Sequence, residues 1–445
     1  WYEARVCESG WSGRRGGVDM MVAMNPQTWD ADVAELAAGG YLFYDSTRPL
    51  PASKFRADVN VIGVPLTEIT NATYSDPRQR QLFKNIIYVG ALSVLLDVDA
   101  AVFEKLFAEQ YKGKERLLDS NVKALHLGRD YVKANMAAPL GIRVEKRDNV
   151  GDQIFIDGNS AVGLGMVYGG ATVAAWYPIT PSTSVAEAFQ KYCDKFRVDA
   201  ATGRQNYAIV QAEDELASIN MIIGASYGGT PALTATSGPG LSLMVEALGL
   251  ATAAEIPVVV IDVMRGGPST GIPTKAEQSD LNLAVYGVHG DAPRLVLAPQ
   301  SVSDCVFTTQ WSVYLSEALQ APAIVLSDQL IGQAQAAIER PADLAFIGER
   351  LRARDIAAPY QRYALGGAGV SPMAIPGTRG GQYTADGLTH TVSGIPTGSA
   401  SDHRAQLDKR RDKLEAFNYG THWATLEGEG DLAVIAWGSL TGAVR

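Results

Sequence analysis

Short apolar stretches alternate with longer helical stretches between residues 153 and 345, and this alternation constrains the fold more than any other feature of the sequence. The runs 208–211, 232–236 and 257–264 read as strands, and helical stretches lie between them. Strands that alternate with helices of ten or more residues form βαβ units, whose strands join one parallel sheet. We therefore predict an α/β fold for this block, with helices on both faces of the sheet.

The rest of the 445-residue chain divides into three further parts. Residues 1–146 carry strand-like runs and a helical stretch, and the polar segment 143–152 marks the end of this first predicted domain. Residues 346–425 are rich in Gly, Pro and Thr, so we expect a long connection across a surface. Residues 426–445 hold a strand-like run that predicts the start of a further α/β domain. Because the chain begins without Met and stops soon after that run, we expect it to be part of a longer polypeptide.

Composition and charge limit the classes of function. With 47% hydrophobic and 19% charged residues, the chain is typical of a soluble globular protein with a sizeable core. The net charge of −10 disfavours nucleic acids and anionic membranes as partners. The densest basic run, at residues 409–413, is interleaved with acidic residues, so we predict a solvated helix face there.

The cysteines and the lengths of the apolar runs limit the function further. Cys7, Cys193 and Cys305 lie far apart with no Cys-x-x-Cys spacing, so the sequence predicts neither a disulfide framework nor a ligand set for zinc or an iron–sulfur cluster. No apolar run reaches about 18 residues and no signal-peptide pattern is present, which predicts a cytoplasmic location.

Ligands of open parallel sheets bind at the carboxyl ends of the strands, so the residues that follow each predicted strand are the first candidates for a site. After the run 172–176 comes Tyr177-Pro-Ile-Thr-Pro-Ser182, in which two prolines fix the backbone around Thr180 and Ser182 can cap the next helix. Such a rigid loop suits a carboxylate or carbonyl oxygen. The alternative is a structural turn that ends in a helix cap.

Charged residues follow two further predicted strands. Glu213, Asp214 and Glu215 stand at a helix start, either as a first-turn charge cluster or as a site where one glutamate bonds a heterocyclic ring nitrogen. Arg265 stands beside two glycines, either to hold a carboxylate bidentately or to pair with a nearby acidic residue. The turn 237–240 adds a weak signal for an anion site.

Two motif matches have less specific explanations. Gly163-x-Gly165-x-x-x-Gly169 is one residue too long for the dinucleotide fingerprint and lacks its acidic partner, so it predicts helix packing. Gly267-Pro-Ser-Thr-Gly271 fits the serine-hydrolase elbow, but Pro273 comes too soon for the helix that the elbow serine must enter. A hydrolase that uses Ser269 is kept as an alternative.

Six motifs occur together in an order and spacing that chance does not explain. They are Asp157-Gly-Asn-Ser-Ala161, Tyr177-Pro-Ile-Thr-Pro-Ser182, Gln211-Ala-Glu-Asp-Glu215, Thr236-Ser-Gly-Pro-Gly240, Arg265-Gly-Gly-Pro-Ser-Thr-Gly271 and Pro273-Thr-Lys-Ala-Glu-Gln278. Through them, about 155–445 resembles the alpha subunits of 2-oxoacid:ferredoxin oxidoreductases, most closely the 2-oxoglutarate type. Residues 1–146 resemble the family's gamma domain through Arg15-Gly-Gly17 and Val22-Ala-Met-Asn-Pro26, although the glycine-rich motif usual for that domain is absent.

The resemblance implies a thiamine-diphosphate-binding fold of the pyrimidine-domain type for 153–345 and the start of a transketolase-C-like domain at 426–445. It implies that Glu215 is catalytic and hydrogen-bonds the thiamine aminopyrimidine, that Arg265 holds the 2-oxoacid carboxylate, and that Thr180 contacts the substrate. Further substrate-binding residues expected from the motifs are Ser182, Thr270 and Lys275, and further cofactor-binding residues are Pro178, Ile179, Ser237 and Gly238.

The reaction that the resemblance implies is oxidative decarboxylation of a 2-oxoacid to acyl-CoA and CO2, with ferredoxin as electron acceptor. It can run in reverse as CO2 fixation. Because this sequence has no motif for cluster ligands or for diphosphate and Mg²⁺, the resemblance implies a beta-type partner that carries a [4Fe–4S] cluster and that metal site. The expected assembly is a dimer of heterodimers, (alpha-gamma/beta)2.

Several alternatives stay open at this point. Pyruvate and branched-chain 2-oxoacids share the scaffold, and the stretch 273–278 favours 2-oxoglutarate. A ferredoxin-independent thiamine enzyme of the transketolase or decarboxylase type would share the glutamate. A non-catalytic scaffold would use the same strand-end residues only for subunit contacts.

Overall fold

The chain folds into two units, Trp1–Asn149 and Val150–Arg445. The computed structural model describes residues 2–8, 15–147, 149–342, 347–354, 356 and 359–445. No helix in these ranges is both long and apolar enough to cross a membrane.

The first unit is built around a parallel sheet of three strands. Its elements are β1 (Val18–Ala23), α1 (Trp29–Glu35), β2 (Leu36–Asp45), a 3₁₀ turn (Ala52–Lys54), β3 (Asn60–Val64), α2 (Leu66–Thr73), α3 (Pro77–Leu95), α4 (Ala100–Gln110) and α5 (Glu115–Asn135). The sheet order is β1-β2-β3, and both strand pairs are parallel. The strand-like runs and the helical stretch that the sequence predicts within residues 1–146 are present as β1, β3 and α4.

Helices α3 and α5 pack with their backbones in close approach, because a glycine stands at each crossing position. A Cβ atom added to Gly90 would lie 1.9 Å from the Leu125 oxygen, and one added to Gly128 would lie 1.8 Å from the Ile87 oxygen. The fully buried Ile87, Ala91 and Ala124 then pack under Phe43 of β2. This core covers one face of the small sheet.

The second unit contains the alternation that the sequence predicts. Its elements are β4 (Ile154–Asp157), α6 (Gly158–Tyr168), β5 (Val173–Trp176), α7 (Thr183–Phe196), β6 (Ala208–Gln211), α8 (Glu215–Tyr227), β7 (Ala232–Thr236), α9 (Gly238–Ala253), β8 (Val259–Met264), α10 (Leu281–Tyr286), β9 (Leu295–Leu297), α11 (Val302–Leu319), β10 (Ala323–Asp328), α12 (Gln329–Gln333), β11 (Gln335–Ile338), α13 (Ala400–Glu415), a 3₁₀ turn (Gly438–Leu440) and α14 (Thr441–Val444).

Six strands form one all-parallel sheet with the order β6-β5-β7-β8-β10-β9. The strand β4, predicted as part of the alternation, instead pairs antiparallel with β11 in a separate two-stranded sheet. The α/β class with a parallel sheet is thus confirmed.

Alternate residues of β8 show how both faces of the large sheet are covered. Val259, Ile261 and Val263 belong to one buried cluster, which includes residues of α6, α7 and α11. Val260 and Met264 belong to a second, which includes residues of α8 and α9. A strand buried on both faces is apolar at nearly every position. Asp262 is the exception, and it lies at a fully buried position between Val260 and Met264.

The glycines that resemble a dinucleotide fingerprint serve helix packing, as the sequence predicts. A Cβ atom on Gly163 would lie 2.9 Å from the Ala188 Cβ of α7, and one on Gly165 would lie 2.4 Å from the Val306 oxygen of α11. Only glycine lets α6 approach both neighbours so closely.

The predicted solvated helix face at residues 409–413 is wrong. In α13, Lys409, Arg410 and Lys413 are buried, and only Arg411 of the basic run is substantially exposed. Lys409 Nζ lies 2.6 Å from Glu255 Oε1 and Lys413 Nζ lies 2.9 Å from Glu255 Oε2. The i, i+4 spacing puts both ammonium groups on one helix face, and α13 therefore packs onto the unit through buried charge.

The strand predicted near the end of the chain does not form. Leu432 and Ile435 are 93% exposed, and a 3₁₀ turn and α14 follow. A strand needs a neighbour to bond its main-chain groups. No strand of the described ranges pairs with residues 431–437, and the Trp437 oxygen instead accepts a hydrogen bond from Gln278 Nε2 at 3.0 Å.

Candidate functional site

The predicted site segments lie at one edge of the large sheet. The loop 177–182 follows β5, the turn 212–215 follows β6, the turn 237–240 follows β7, and the loop 265–280 follows β8. These four strands are parallel neighbours, so their carboxyl ends share that edge. Strand topology thus brings the candidate segments to one region.

Arg265 joins two of these segments. Its Nη1 donates to the Thr180 main-chain oxygen at 2.6 Å, and its Nη2 donates to the Thr270 main-chain oxygen at 2.6 Å. The side chain is 7% exposed, and its Nε is buried without a hydrogen-bond partner. In the part of the chain that the structure describes, no carboxylate forms a salt bridge with Arg265, so the ion-pair interpretation has no support there.

The loop after Arg265 is a tight, hydrogen-bonded structure. Gly266 N donates to the Lys275 oxygen at 2.9 Å, and Ile272 N donates to the Gly266 oxygen at 2.7 Å. A Cβ atom on Gly271, which has a φ of +58°, would lie 1.6 Å from the Gly266 oxygen, so this position requires glycine. Thr270 and Lys275 are exposed on this loop.

Glu277 stabilises the same loop, a role that the sequence analysis missed. Its Oε2 accepts a hydrogen bond from Gly267 N at 2.7 Å. The residue stands in the 273–278 motif. The only available signal was its place in that motif, because nothing in the spacing tells which main-chain amide a glutamate will reach.

Ser182 does not cap the helix that follows it, contrary to the prediction. Its Oγ donates to the Ile179 oxygen at 2.9 Å, and it is fully buried. The reason is its backbone, which already has helical φ and ψ angles of −79° and −16°, whereas a capping side chain needs extended φ and ψ. Ser182 therefore stabilises the loop in which Thr180 is exposed.

Asn159 stabilises this loop through hydrogen bonds from α6, a role that was not predicted from the sequence. The residue is fully buried in α6, and its Nδ2 donates to the Pro181 oxygen and to Ser184 Oγ, both at 2.8 Å. Its place in the 157–161 motif was the one signal. A buried amide inside an otherwise apolar helix needs such partners.

Glu215 begins α8 and lies against the turn that follows β7. The residue is 8% exposed, and its carboxylate has no hydrogen-bond partner among the described residues. A Cβ atom on Gly240 would lie 2.9 Å from Glu215 Oε1 and 2.0 Å from Thr236 Oγ1. The missing side chain at Gly240 thus leaves space for the carboxylate. Asp214, rather than Glu215, caps the helix by accepting from Ala217 N at 2.7 Å.

The turn 237–240 presents a second unsatisfied group. Ser237 is fully buried, and its Oγ has no hydrogen-bond partner. A Cβ atom on Gly238 would lie 2.6 Å from Asp280 Oδ2, so the Asp280 carboxyl group lies directly against the turn. Neither Asp280 nor Asp262 was predicted from the sequence, and the one signal for Asp262 was its place as a lone acidic residue within an apolar strand.

The structure therefore brings the predicted residues together in two groups. Arg265 contacts the main chain of Thr180 and Thr270, and Glu215 lies beside the turn that contains Ser237 and Gly238. Pro178 and Ile179 belong to the loop that Arg265 holds. The glycine-serine motif at 267–271 forms a turn in which Ser269 has a φ of 60°, and the next helix begins only at Leu281. The elbow required for a serine hydrolase is therefore absent from this described loop.

Two family models match this chain. Residues 164–409 match the family model described as "Pyruvate flavodoxin/ferredoxin oxidoreductase, thiamine diP-bdg", and residues 1–131 match "Pyruvate ferredoxin/flavodoxin oxidoreductase". The chain is 32% identical to 2-oxoglutarate oxidoreductase subunit KorA of Mycobacterium tuberculosis, over 96% of this chain and 68% of that protein.

Further relatives are also 2-oxoacid:ferredoxin oxidoreductases. The chain is 37% identical to 2-oxoacid:ferredoxin oxidoreductase 1, subunit alpha, of Sulfurisphaera tokodaii over 66% of this chain, and it spans about half (48%) of that relative. A solved 2-oxoglutarate:ferredoxin oxidoreductase from Magnetococcus marinus superposes with a TM-score of 0.77 and 36% identity over 96% of this chain and 73% of the solved chain. These matches confirm the resemblance, and the chain belongs to the 2-oxoacid:ferredoxin oxidoreductase family.

Proposed function

We propose that this chain supplies the pyrimidine-activating carboxylate and the substrate-binding arginine of a 2-oxoglutarate:ferredoxin oxidoreductase. The overall reaction converts a 2-oxoacid and coenzyme A to an acyl-CoA and CO2 while ferredoxin is reduced. The observation that carries the proposal is Glu215, a residue that is only 8% exposed at the carboxyl edge of the sheet and whose carboxylate forms no hydrogen bond among the described residues.

The residues around Glu215 fit thiamine diphosphate. The cofactor, when bound, supplies a carbon nucleophile and an electron sink for decarboxylation. Glu215 would hold a proton at ring nitrogen N1′, which makes the exocyclic amino group of that ring a base. Ser237 has a buried hydroxyl without a partner, which supports its predicted role, with Gly238, Pro178 and Ile179, as a cofactor contact.

Arg265 is suited to hold the substrate carboxylate. Each terminal nitrogen of a guanidinium carries two N–H groups, and the two hydrogen bonds to Thr180 and Thr270 use one on each. One N–H on each nitrogen is therefore left for a bidentate contact with a carboxylate. The main-chain bonds also fix the orientation of the guanidinium, so that less conformational entropy is lost on binding.

Thr180, Thr270 and Lys275 remain proposed substrate contacts, because all three are exposed at this edge. Ser182 is buried and its hydroxyl hydrogen is already donated to Ile179, so we propose that it supports the loop and does not touch the substrate.

The proposed substrate is 2-oxoglutarate. The solved Magnetococcus marinus relative carries 2-oxoglutarate, coenzyme A and succinyl-CoA, and the Mycobacterium tuberculosis relative is named for 2-oxoglutarate. A second carboxylate on the substrate would need a cation, and Lys275 stands on the loop that Arg265 holds. Pyruvate and branched-chain 2-oxoacids, which lack that carboxylate, are the competing substrates.

We further propose a beta-type partner that carries Mg²⁺, the diphosphate site and a [4Fe–4S] cluster, in an (alpha-gamma/beta)2 assembly that uses ferredoxin. Relatives that are named alpha subunits support a partner. In the proposed domain plan, 1–146 is the gamma-type domain, 153–345 binds the pyrimidine, 346–425 connects, and 426–445 begins a transketolase-C-like domain. The cytoplasmic location stays a prediction.

The test is a steady-state assay of the purified complex with 2-oxoglutarate, pyruvate and a branched-chain 2-oxoacid, each with coenzyme A and a viologen acceptor. We expect acyl-CoA formation to require thiamine diphosphate and to be highest with 2-oxoglutarate. A preference for pyruvate would overturn the substrate assignment. Turnover without an electron acceptor would instead favour a ferredoxin-independent thiamine enzyme.

A further inference from the structure

Two carboxyl groups, of the fully buried Asp262 and the half-buried Asp280, lie next to the turn 237–240. Asp262, on β8, is fully buried, and neither of its carboxyl oxygens has a hydrogen-bond donor. Asp280, the residue before α10, has a buried Oδ2 that also lacks a donor. Three buried carboxyl oxygens without a donor are costly, because an unpaired ionised carboxylate in an apolar surrounding loses its hydration.

Sharing a proton removes most of this cost. Two ionised carboxylates can only accept hydrogen bonds, but a protonated one donates to its neighbour. Burial raises the pKa of Asp262 well above its usual range, and the nearby Asp280 raises it further. Burial raises the pKa of Asp280 as well. Closely placed carboxyl groups of this kind titrate as a pair, with one proton retained in the pH range where a lone aspartate is ionised.

The pair adjoins the turn at two points. Asp280 lies against Gly238, where an added Cβ would come within 2.6 Å of Oδ2 and 2.8 Å of Oδ1. Asp262 stands opposite Thr236 in the β7–β8 register, one residue before the turn begins. Thr236 in turn borders the space that holds Glu215, since a Cβ on Gly240 would meet both side chains.

We propose that Asp262 and Asp280 share one proton and that this carboxylic acid–carboxylate pair is a positioning device, which holds the turn 237–240 in the place where it meets Glu215. The proposal rests on the proposed function in one respect, because it is the cofactor that this turn is expected to contact. The shared proton itself is independent of that function.

The groups that surround the pair leave few other sources of charge. Glu277, in the loop before α10, is a further charged group near Asp280, and its negative charge raises the pKa of Asp280. Ser279 Oγ donates a hydrogen bond to Asp280 Oδ1 at 3.4 Å. From the neighbouring strands, Thr236 and Leu326 stand opposite Asp262, and neither carries charge. From α9 the neighbour is Gly238. The proton therefore stays between the two aspartates.

The shared proton has a defined effect on stability. The folded pair keeps a proton that the unfolded chain releases near the ordinary aspartate pKa of about 4. Stability from this source is fully present below that pH and falls as pH rises toward the pKa of the pair. The unfolding constant of the wild type, relative to that of a variant without the shared proton, should rise about tenfold per pH unit above about pH 5.

Asp262→Asn provides the decisive variant, because an amide can donate to Asp280 without any proton being shared. Infrared spectra of the purified complex at neutral pH should show the carbonyl band of a protonated carboxyl group in the wild type. The band should be absent from the spectra of both Asp262→Asn and Asp280→Asn. Asp291→Asn, at an exposed aspartate, is the matched control and should keep the band. If the wild type lacks that band, or if Asp262→Asn removes no pH dependence of unfolding, no proton is shared.

Hydrogen exchange tests the positioning role separately. The amides of Gly240 and Leu241 donate to the Ser237 oxygen at 2.8 and 3.0 Å and so report on the turn. We expect Asp280→Ala to speed their exchange about tenfold or more and to weaken thiamine diphosphate binding similarly, while Asp262→Asn keeps both within about threefold. Unchanged exchange in Asp280→Ala would refute positioning. If the wild-type complex binds no thiamine diphosphate, the proposed function fails, while the infrared band and the exchange rates still decide this proposal.

Discussion

Arg265 Nη1 and the main-chain oxygen of Thr180 are joined by a 2.6 Å hydrogen bond. The two residues follow β8 and β5, strands that are separated in the sheet by β7. This bond therefore spans the carboxyl edge and sets the distance between two loops that the chain reaches 85 residues apart. The same guanidinium keeps the N–H groups that a substrate carboxylate would need.

Replacing Arg265 with lysine should separate its charge from its geometry. A lysine keeps the positive charge but cannot bond both carbonyls and a carboxylate at once. We expect Arg265→Lys to lower kcat/KM for the 2-oxoacid about 10- to 100-fold, mainly through KM, since a charge-assisted bidentate contact becomes a single one. Arg204→Lys, at an exposed arginine, is the control for the same chemical change. Wild-type kinetics in Arg265→Lys would rule out a bidentate contact.

A methyl group at Gly240 should displace the Glu215 carboxylate. The added Cβ would lie 2.0 Å from Thr236 Oγ1 and 2.9 Å from Glu215 Oε1, so one of these side chains must move. Since a misplacement of about 1 Å can cost about 100-fold in rate, we expect Gly240→Ala to lower kcat at least tenfold.

The matched control is Gly224→Ala in α8, where an added Cβ meets nothing within 4 Å. That variant should stabilise the chain against urea by about 0.5–1 kcal/mol, because alanine is the better helix former. A Gly240→Ala variant with unchanged kcat would show that the position of Glu215 is not critical.

Glu255 should be essential for attaching the long connection to the second unit. Two buried ammonium groups, on Lys409 and Lys413, bond its carboxylate. We expect Glu255→Gln to reduce the free energy of unfolding by about 3 kcal/mol or more, because it leaves both cations without a countercharge. Glu246→Gln, at an exposed glutamate of α9, should change it little. Equal urea midpoints for the two variants would contradict this assignment.

The two ion pairs of Glu255 also predict how stability depends on pH. Burial alone would raise the pKa of Glu255, but Lys413 and Lys409 outweigh burial and hold it at about 2. A glutamate with a lowered folded pKa adds stability above its unfolded pKa of about 4.3, and this is lost as pH falls toward 2. Wild-type stability should therefore fall below about pH 4, and Glu255→Gln should lack this loss.

How far the sequence predicts the structure depends on the range of the interactions. Helix α8 forms between the predicted strands 208–211 and 232–236, because apolar periodicity and the acidic residues at its start are local signals. The burial of Lys409 and Lys413 was not predictable in the same way. Their partner lies more than 150 residues away, at a residue with a left-handed φ of 51°, and a charge-rich helix gives no local sign of such a partner.

In the candidate site, too, some residues could be predicted from the sequence and others could not. Strand ends identify Glu215, Thr180 and Arg265, because parallel topology alone brings them to one edge. The supporting contacts of Asn159 and Glu277 depend on loop conformations that composition does not encode. Ser182 was predicted as a cap because serine favours that position, but its backbone conformation gives the hydroxyl a different partner.

The most direct test of the account is the turnover of Glu215→Gln in the purified complex, measured with 2-oxoglutarate, coenzyme A and a viologen acceptor. The glutamine keeps the shape of the side chain but cannot exchange a proton with ring nitrogen N1′. We predict a loss in kcat of at least about 100-fold, the size expected for a lost acid–base group, with an unchanged urea midpoint. Wild-type turnover in this variant would contradict the assignment of Glu215 and favour a scaffold without catalysis.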